Sequence, residues 1–185
     1  MRATRRDVCR LPVHDTRKRG ESVMTRPVAI IPHMSQQAPV IRALDRAACE
    51  ALLARGNVGR VAFATHQRVD IEPLHYAFLD GWIYGRTSPG SKLDVVAHSH
   101  WVAFEAAEVA GVFDWRSVVV HGAWFGQHEA PPAEHAAWER GLDALRRLVP
   151  GTFTRNDPVP FRTVLFRIHL DEVTGRECRP APVPG

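Results

Sequence analysis

The sequence predicts a mainly β protein, a small antiparallel barrel of six strands with helices inserted. Three observations carry that expectation. Short β-branched or alternating apolar segments follow one another from residue 58 to residue 170. Asp80-Gly81 lies between two of them and is a strong hairpin turn. Strands do not alternate strictly with helices, which argues against a doubly wound parallel sheet.

The elements follow in order. LDRAACEALLARGN reads as a helix: Asp45 can cap its start, Ala47, Leu52 and Leu53 lie on its apolar stripe, and Gly56 follows its end. Val58–Thr65 is a small, β-branched strand, and Val69–Leu79 is a long alternating one. The Asp-Gly turn leads into Trp82–Gly85. Ser91–His98 reads as a short helix. Trp101–Glu108 and Ser117–Gln127 read as strands, Pro131–Leu148 as an amphipathic helix, and Phe161–Leu170 as the final strand. Domain organisation is simple: a basic N-terminal tail over 1–40 without sustained periodicity, expected to be mostly disordered, with an extended arm near Val28–Pro32; one domain over 41–175; and a loose Pro-rich end over 176–185.

The formal charge is +4, but its location matters more than its size. Residues 1–26 carry eight Lys/Arg against three Asp/Glu, and the remainder sixteen against seventeen. The folded part therefore has no large positive face, and nucleic-acid binding by it is not expected. No apolar run approaches membrane-spanning length, and the N-terminus lacks the apolar core of a secretory signal. Cys9, Cys49 and Cys178 are odd in number and widely spaced, which excludes a disulfide framework or a Cys-based zinc site and points to a reducing cytoplasm.

The chemistry concentrates in YGRTSPGSKLD, residues 84–94. Gly90 permits close backbone approach, Ser91 and Lys92 open a helix, Arg86 and Lys92 bring charge, and Thr87, Ser88 and Ser91 bring hydroxyl donors. A phosphate is the natural guest. The spacing is not that of a Walker A loop. The plain alternative is a capped helix after a turn, with a solvated Arg and Lys.

The ordered set GRVAFAT, PLHYAFLDGWIYGRTSPGSKLD, WVAFEA and WRSVVVHG resembles the pyridoxamine 5′-phosphate oxidase-related split-barrel family of flavin proteins, its nitroimidazole-reductase-like branch in particular. The resemblance covers roughly residues 43–127, with a weaker extension through 161–170. It implies a homodimer of six-stranded split barrels with FMN at the subunit interface. It further implies that Thr87, Ser88, Ser91 and Lys92, with Arg86, hold the phosphate. Arg60, Val61 and Ala62 would run along the flavin ring, His75 and Tyr76 would face the ring or substrate, and Trp115 and Ser117 would lie near the cofactor. A deazaflavin (F420) or haem in the same slot is the alternative within this fold.

Other constellations weigh less. His75 alternates in phase with Val69, Ile71, Ala77 and Leu79; it is the candidate proton donor, against a histidine of the barrel wall. His98 and His100 lack further convergent ligands, and no metal site is expected. His121 reads as structural. Ser117 has no G-x-S-x-G context, so it is not expected to be a hydrolase nucleophile.

The functional expectation is an FMN-dependent oxidoreductase that takes electrons from transiently bound NAD(P)H to a small nitroaromatic or quinone acceptor. No G-x-G-x-x-G is present for a dedicated nicotinamide domain. GRECRPAPVPG lacks the C-terminal Arg motif implied for true pyridoxamine-phosphate oxidases. The rivals are a flavin-binding carrier or sensor without turnover, and a structural dimer whose loop only caps a helix.

Overall fold

The computed structural model describes residues 38–65, 68–90, 93, 96 and 99–180. The tail over 1–37, including the arm at 28–32, lies outside the described residues, as do Ser91, Lys92 and His98.

The chain enters through β1 (Val40–Leu44) and turns into α1 (Arg46–Arg55) at Asp45, whose carboxylate accepts the Ala48 N–H at 2.8 Å. That bond satisfies one of the donors a helix start leaves open, so the helix begins where the sequence placed its cap. Cys49, Leu52 and Leu53 form the buried stripe of α1.

Five strands come next: β2 (Val58–Thr65), β3 (Arg68–Leu79), β4 (Trp82–Thr87), β5 (Trp101–Gly111) and β6 (Asp114–Gly126). After two short 3-10 turns come α2 (His135–Leu148), β7 (Val164–His169) and β8 (Glu172–Arg179). Asp80 and Gly81 both have positive φ, 51° and 77°, giving the tight β3–β4 hairpin that the dipeptide predicts.

All pairings are antiparallel. In the order β6-β5-β2-β3-β4-β7, with β7 returning to β6, six strands close a ring. This is the expected six-stranded barrel. Two strands lie outside the ring: β8 pairs with the first half of β6, and β1 pairs with β8. The segment read as loose from residue 176 is strand as far as Arg179, with Glu177 and Cys178 buried. The alternation in EVTGRECR was hidden by a buried Gly and a buried Glu on its inner face; residues 181–185 lie outside the described residues.

β6 makes the closure possible. Its edge pairs with β8 over Trp115–His121 and with β7 over Trp124–Gly126. Gly122 sits where the partner changes. A Cβ there would fall 1.7 Å from the His169 carbonyl oxygen, a backbone atom that cannot rotate away. The barrel interior is packed by Tyr76, Phe104, Val118, Val120, Phe166 and Ile168, all fully buried, with Trp124 stacked on Phe166.

α2 lies outside the ring over β3 and β4, where Trp138, Leu142 and Leu145 cover Tyr84 and Leu165. Arg167 is buried beneath it. Its guanidinium lies 3.8 Å from the Trp82 ring centre and 4.8 Å from that of Trp138, and it pairs with Glu134. A second buried ion cluster ties the outer strands together. Glu177 accepts from Arg42 and from Arg116 (3.0 Å), with Arg179 3.3 Å away. The Arg42 hydrogen bond, joined by Arg116, holds the Glu177 carboxyl below the usual range despite burial.

Gly122→Ala is expected to destabilise the fold by about 3 kcal/mol, the upper range for forced overpacking. Gly111→Ala, whose Cβ would meet nothing within 4 Å, should change stability by less than about 0.5 kcal/mol. Urea unfolding of both variants measures the contrast.

Candidate functional site

β4 ends with Arg86 and Thr87, and Ser88 follows it. These three residues, with Val61 of β2, line a cavity of about 210 Å³. Apolar side chains form much of its wall: Phe63, Leu74, Leu93, Val96, Trp124 and Phe166. Phe161 and Arg162 approach from the segment before β7, and Glu72 and Pro73 come from β3. Hydroxyl donors and cationic side chains beside apolar walls suit an amphiphilic anion with a phosphate at one end.

Arg86 is not free to act as a simple phosphate ligand. It is 6% exposed, and both Nη atoms donate to the Asp157 carboxylate, Nη2 to Oδ1 at 2.9 Å. Asp157 also accepts the Phe153 N–H at 2.8 Å and the Val159 N–H at 2.9 Å. The Arg86 hydrogen bond, with those two amides, holds the Asp157 carboxyl well below the usual carboxylate range. One side chain thereby fixes a loop, and that loop carries Phe161 and Arg162 to the cavity.

The other expected site residues divide by strand face. Arg60 and Ala62 lie on the outer face of β2, opposite Val61; Arg60 pairs with Glu105 at 3.0 Å. His75 is exposed on the outer face of β3. Trp115 and Ser117 are half-buried on the corresponding face of β6, opposite Val109 and Ala107 of β5. Tyr76 points inward. It is fully buried, packs edge-on against Phe104 at 4.9 Å, and donates its hydroxyl to the Leu53 carbonyl at 2.9 Å. Burial, with the charges of Glu108 and Glu105, pushes its phenol up. Its ring is a core element and is not available to a ligand. Neighbouring strand residues face opposite ways, so His75 and Tyr76 cannot both contact one ligand through their side chains. Ser91 and Lys92 lie outside the described residues.

Thus Val61, Arg86, Thr87 and Ser88 come together at the cavity, while Arg60, Ala62, His75, Trp115 and Ser117 share the outer sheet face. That face also carries exposed apolar side chains: Val69, Ile71, Trp101 and Val109 are between 61% and 74% exposed. Sequence reasoning missed Asp157, Phe161 and Arg162. Asn-Asp-Pro at 156–158 signals a turn but not its ion-pair partner 71 residues away. Among the described residues no cluster of three or more His, Cys, Asp or Glu could hold a metal ion, and no helix is long and apolar enough to cross a membrane.

Residues 45–177 match the family described as pyridoxamine 5′-phosphate oxidase, and the chain belongs to that family. It is 28% identical to an uncharacterized protein of Rhizobium meliloti, over 74% of this chain and 94% of that one. Among solved structures it is similar to a FAD-binding protein of Mesorhizobium loti, with a TM-score of 0.63 and 25% identity over 76% of this chain and 98% of the other. A FAD-binding protein of Mycobacterium smegmatis shares the fold, with a TM-score of 0.54 and 23% identity over 74% and 98% of the two chains. So does a putative 5-nitroimidazole antibiotic resistance protein of Bacteroides thetaiotaomicron, with a TM-score of 0.57 and 14% identity over 76% and 89%.

The Asp157 pair has a pH signature. Its folded pKa lies below the unfolded value of about 3.9. Its contribution is therefore fully present above that value and is lost as pH falls through it toward the depressed folded value. Asp157→Asn should lower the urea midpoint at pH 7 and flatten its fall between about pH 4 and pH 2. Parallel slopes for the two proteins would show that the pair contributes nothing to acid stability.

Proposed function

We propose that the chain is a flavin-binding oxidoreductase that binds FMN and passes electrons from NAD(P)H to a small organic acceptor of nitroaromatic or quinone type. The observation that carries the flavin reading is the cavity itself, which Thr87, Ser88 and Arg162 line together with Trp124, Phe166 and Phe63. These residues fit a phosphate-bearing, largely flat and apolar group. Family membership and two neighbours named as FAD-binding support a flavin. Those names keep FAD as the alternative form of the cofactor. A haem is less well served, because no His among the described residues lines the cavity.

When bound, a flavin supplies hydride and single-electron chemistry that no side chain here supplies. The protein's part is binding, orientation and exclusion of water. Thr87 and Ser88 donate hydrogen bonds to the anionic end. The apolar wall keeps water from the rest. His75 stays on the outer face, where it is accessible to a substrate held on that face.

The active form is a homodimer. About 210 Å³ falls short of the ~300 Å³ at which ligand sites usually begin, so one copy encloses only part of such a ligand. The apolar outer face of β2, β3, β5 and β6 is the surface a second copy would cover.

The first test is a visible spectrum of the purified protein, followed by identification of the chromophore released on denaturation. A yellow protein that releases FMN and is bleached anaerobically by NAD(P)H, then recoloured by a nitroaromatic or quinone, fits the proposal. Bound flavin with no reduction by either nicotinamide makes it a binding module. A colourless chain that takes up no FMN or FAD overturns the reading.

Ile71→Glu on the outer face should weaken self-association by roughly 30-fold or more, as a lost interface anchor does. Analytical ultracentrifugation over a concentration series reads this. An unchanged profile would place the interface elsewhere.

A further inference from the structure

We propose that, of the two arginines at the cavity, Arg162 and not Arg86 binds the anionic end of the ligand, and that the Asp157–Arg86 pair is the device that positions it. The identity of the ligand rests on the flavin reading; the placement of the charge does not.

Both arginines line the same cavity, but they differ in electrostatic state. The two terminal nitrogens of Arg86 are held by the Asp157 carboxylate, itself buried, so the pair presents a ligand with a dipole and no net charge. Attraction to a dipole falls off faster with distance than attraction to a charge. Arg162 has no carboxylate partner among the described residues. Arg162 is half-buried, and its planar fork suits phosphate oxygens.

The loop between α2 and β7 is built to hold Arg162 in place. Thr152 is fully buried, and its hydroxyl donates to the Val149 carbonyl at 2.7 Å. Phe153 has a φ of 58°, a conformation that costs free energy in a non-glycine residue. It is kept there by its N–H bond to Asp157 and lies under the Arg86 guanidinium, 5.6 Å from ring centre to Cζ. Asp157 also takes the Val159 N–H, and the Val159 carbonyl in turn accepts the Arg162 N–H at 3.0 Å. A chain of bonds therefore runs from Arg86 through Asp157 and Val159 to Arg162. Arg86 is the anchor on the barrel, Asp157 the hub, and Arg162 the residue delivered.

The test uses the full chain stripped of bound ligand, titrated with FMN and with riboflavin, which lacks the phosphate. Wild type should prefer FMN by about 100-fold, the scale of one good charge-assisted clamp. Arg162→Ala should lose most of that preference while riboflavin affinity changes by less than about threefold, and Arg162→Lys should recover part of it. Asp157→Asn should lose FMN preference too, and adding Arg162→Ala to it should cost little more, because both act through one residue. Unfolding separates the roles: Asp157→Asn lowers the midpoint and Arg162→Ala does not.

An Arg162→Ala protein that keeps the FMN preference overturns the proposal. So does an Asp157→Asn protein that binds FMN more tightly, since a freed Arg86 would then be the ligand. Stabilisation by inorganic phosphate is measured in parallel. If wild type binds no flavin but is stabilised by phosphate, and Arg162→Ala abolishes that, the flavin reading falls and the Arg162 site stands. If neither flavin nor phosphate binds, both fall.

Discussion

A strand edge can satisfy only one neighbour at a time, and β6 has two claims on the same edge. It resolves them by length. The first part hydrogen-bonds to β8 and the last part to β7, with Gly122 at the change of partner. The other edge stays paired with β5 from Trp101 to Gly111. Removing a side chain at residue 122 lets the His169 carbonyl come close, and β7 then closes the ring. The cavity follows from this closure. Trp124 comes from the end of β6 that has changed partner and Phe166 from the strand it has joined, and the two stack as part of the cavity wall. The segment that carries Phe161 and Arg162 is drawn to the cavity because β7 begins immediately after it.

Two buried carboxylates then fix what the backbone ladder leaves loose. Glu177 gathers Arg42, Arg116 and Arg179 from β1, β6 and β8, so the strands outside the ring are tied by charge as well as by ladder bonds. Asp157 gathers Arg86 from β4 and two amides from its own loop. Buried ion pairs are poor sources of net stability, because desolvation offsets most of the attraction. They are demanding about geometry, however, and a pair with one member missing is costly. Here the two carboxylates hold segments far apart in sequence in one geometry: Arg42 and Arg116 at Glu177, and Arg86 at Asp157.

The sequence made the barrel legible because turn chemistry and capping are local. Asp45 and Asp80-Gly81 act on residues beside them, so their positions could be read directly. The face of β3 could not. Its odd positions, Val69, Ile71, Ala77 and Leu79, are apolar and suggest an inward face, yet the inward residues are Leu74, Tyr76 and Phe78. Both faces are apolar for different reasons. Ala77 and Leu79 lie under α2, while Val69 and Ile71 are exposed on the bare sheet. Periodicity reports alternation but not which phase faces the core, and the resemblance that pairs His75 with Tyr76 carries no facing either, whereas the fold puts them on opposite faces. Thr87 and Ser88, read from the loop as hydroxyl donors, and Val61, named only through the resemblance, line the cavity. Asp157 and Arg162 were not legible, because their partners are joined to them only by the closure of the ring.

The same two-faced character bears on how one ligand could touch both sets of site residues. Val61 lines the cavity, whereas Arg60 and Ala62, its neighbours on β2, face out. A ligand confined to the cavity would never meet His75 or Ser117, and one confined to the outer face would never meet Thr87 or Ser88. In the proposed homodimer the outer-face residues would instead meet the second copy. A second copy covering the outer face would convert an open sheet into one wall of a slot. The cavity of one subunit would then hold the anionic end and the apolar part that it reaches, and the second copy would complete the enclosure. The small side chains at Ala62 and Ala103, paired across β2 and β5 in the middle of that face, leave room for it. Binding and assembly would therefore be linked: whatever fills the slot contacts both copies, and its removal should loosen the dimer as well as empty the cavity.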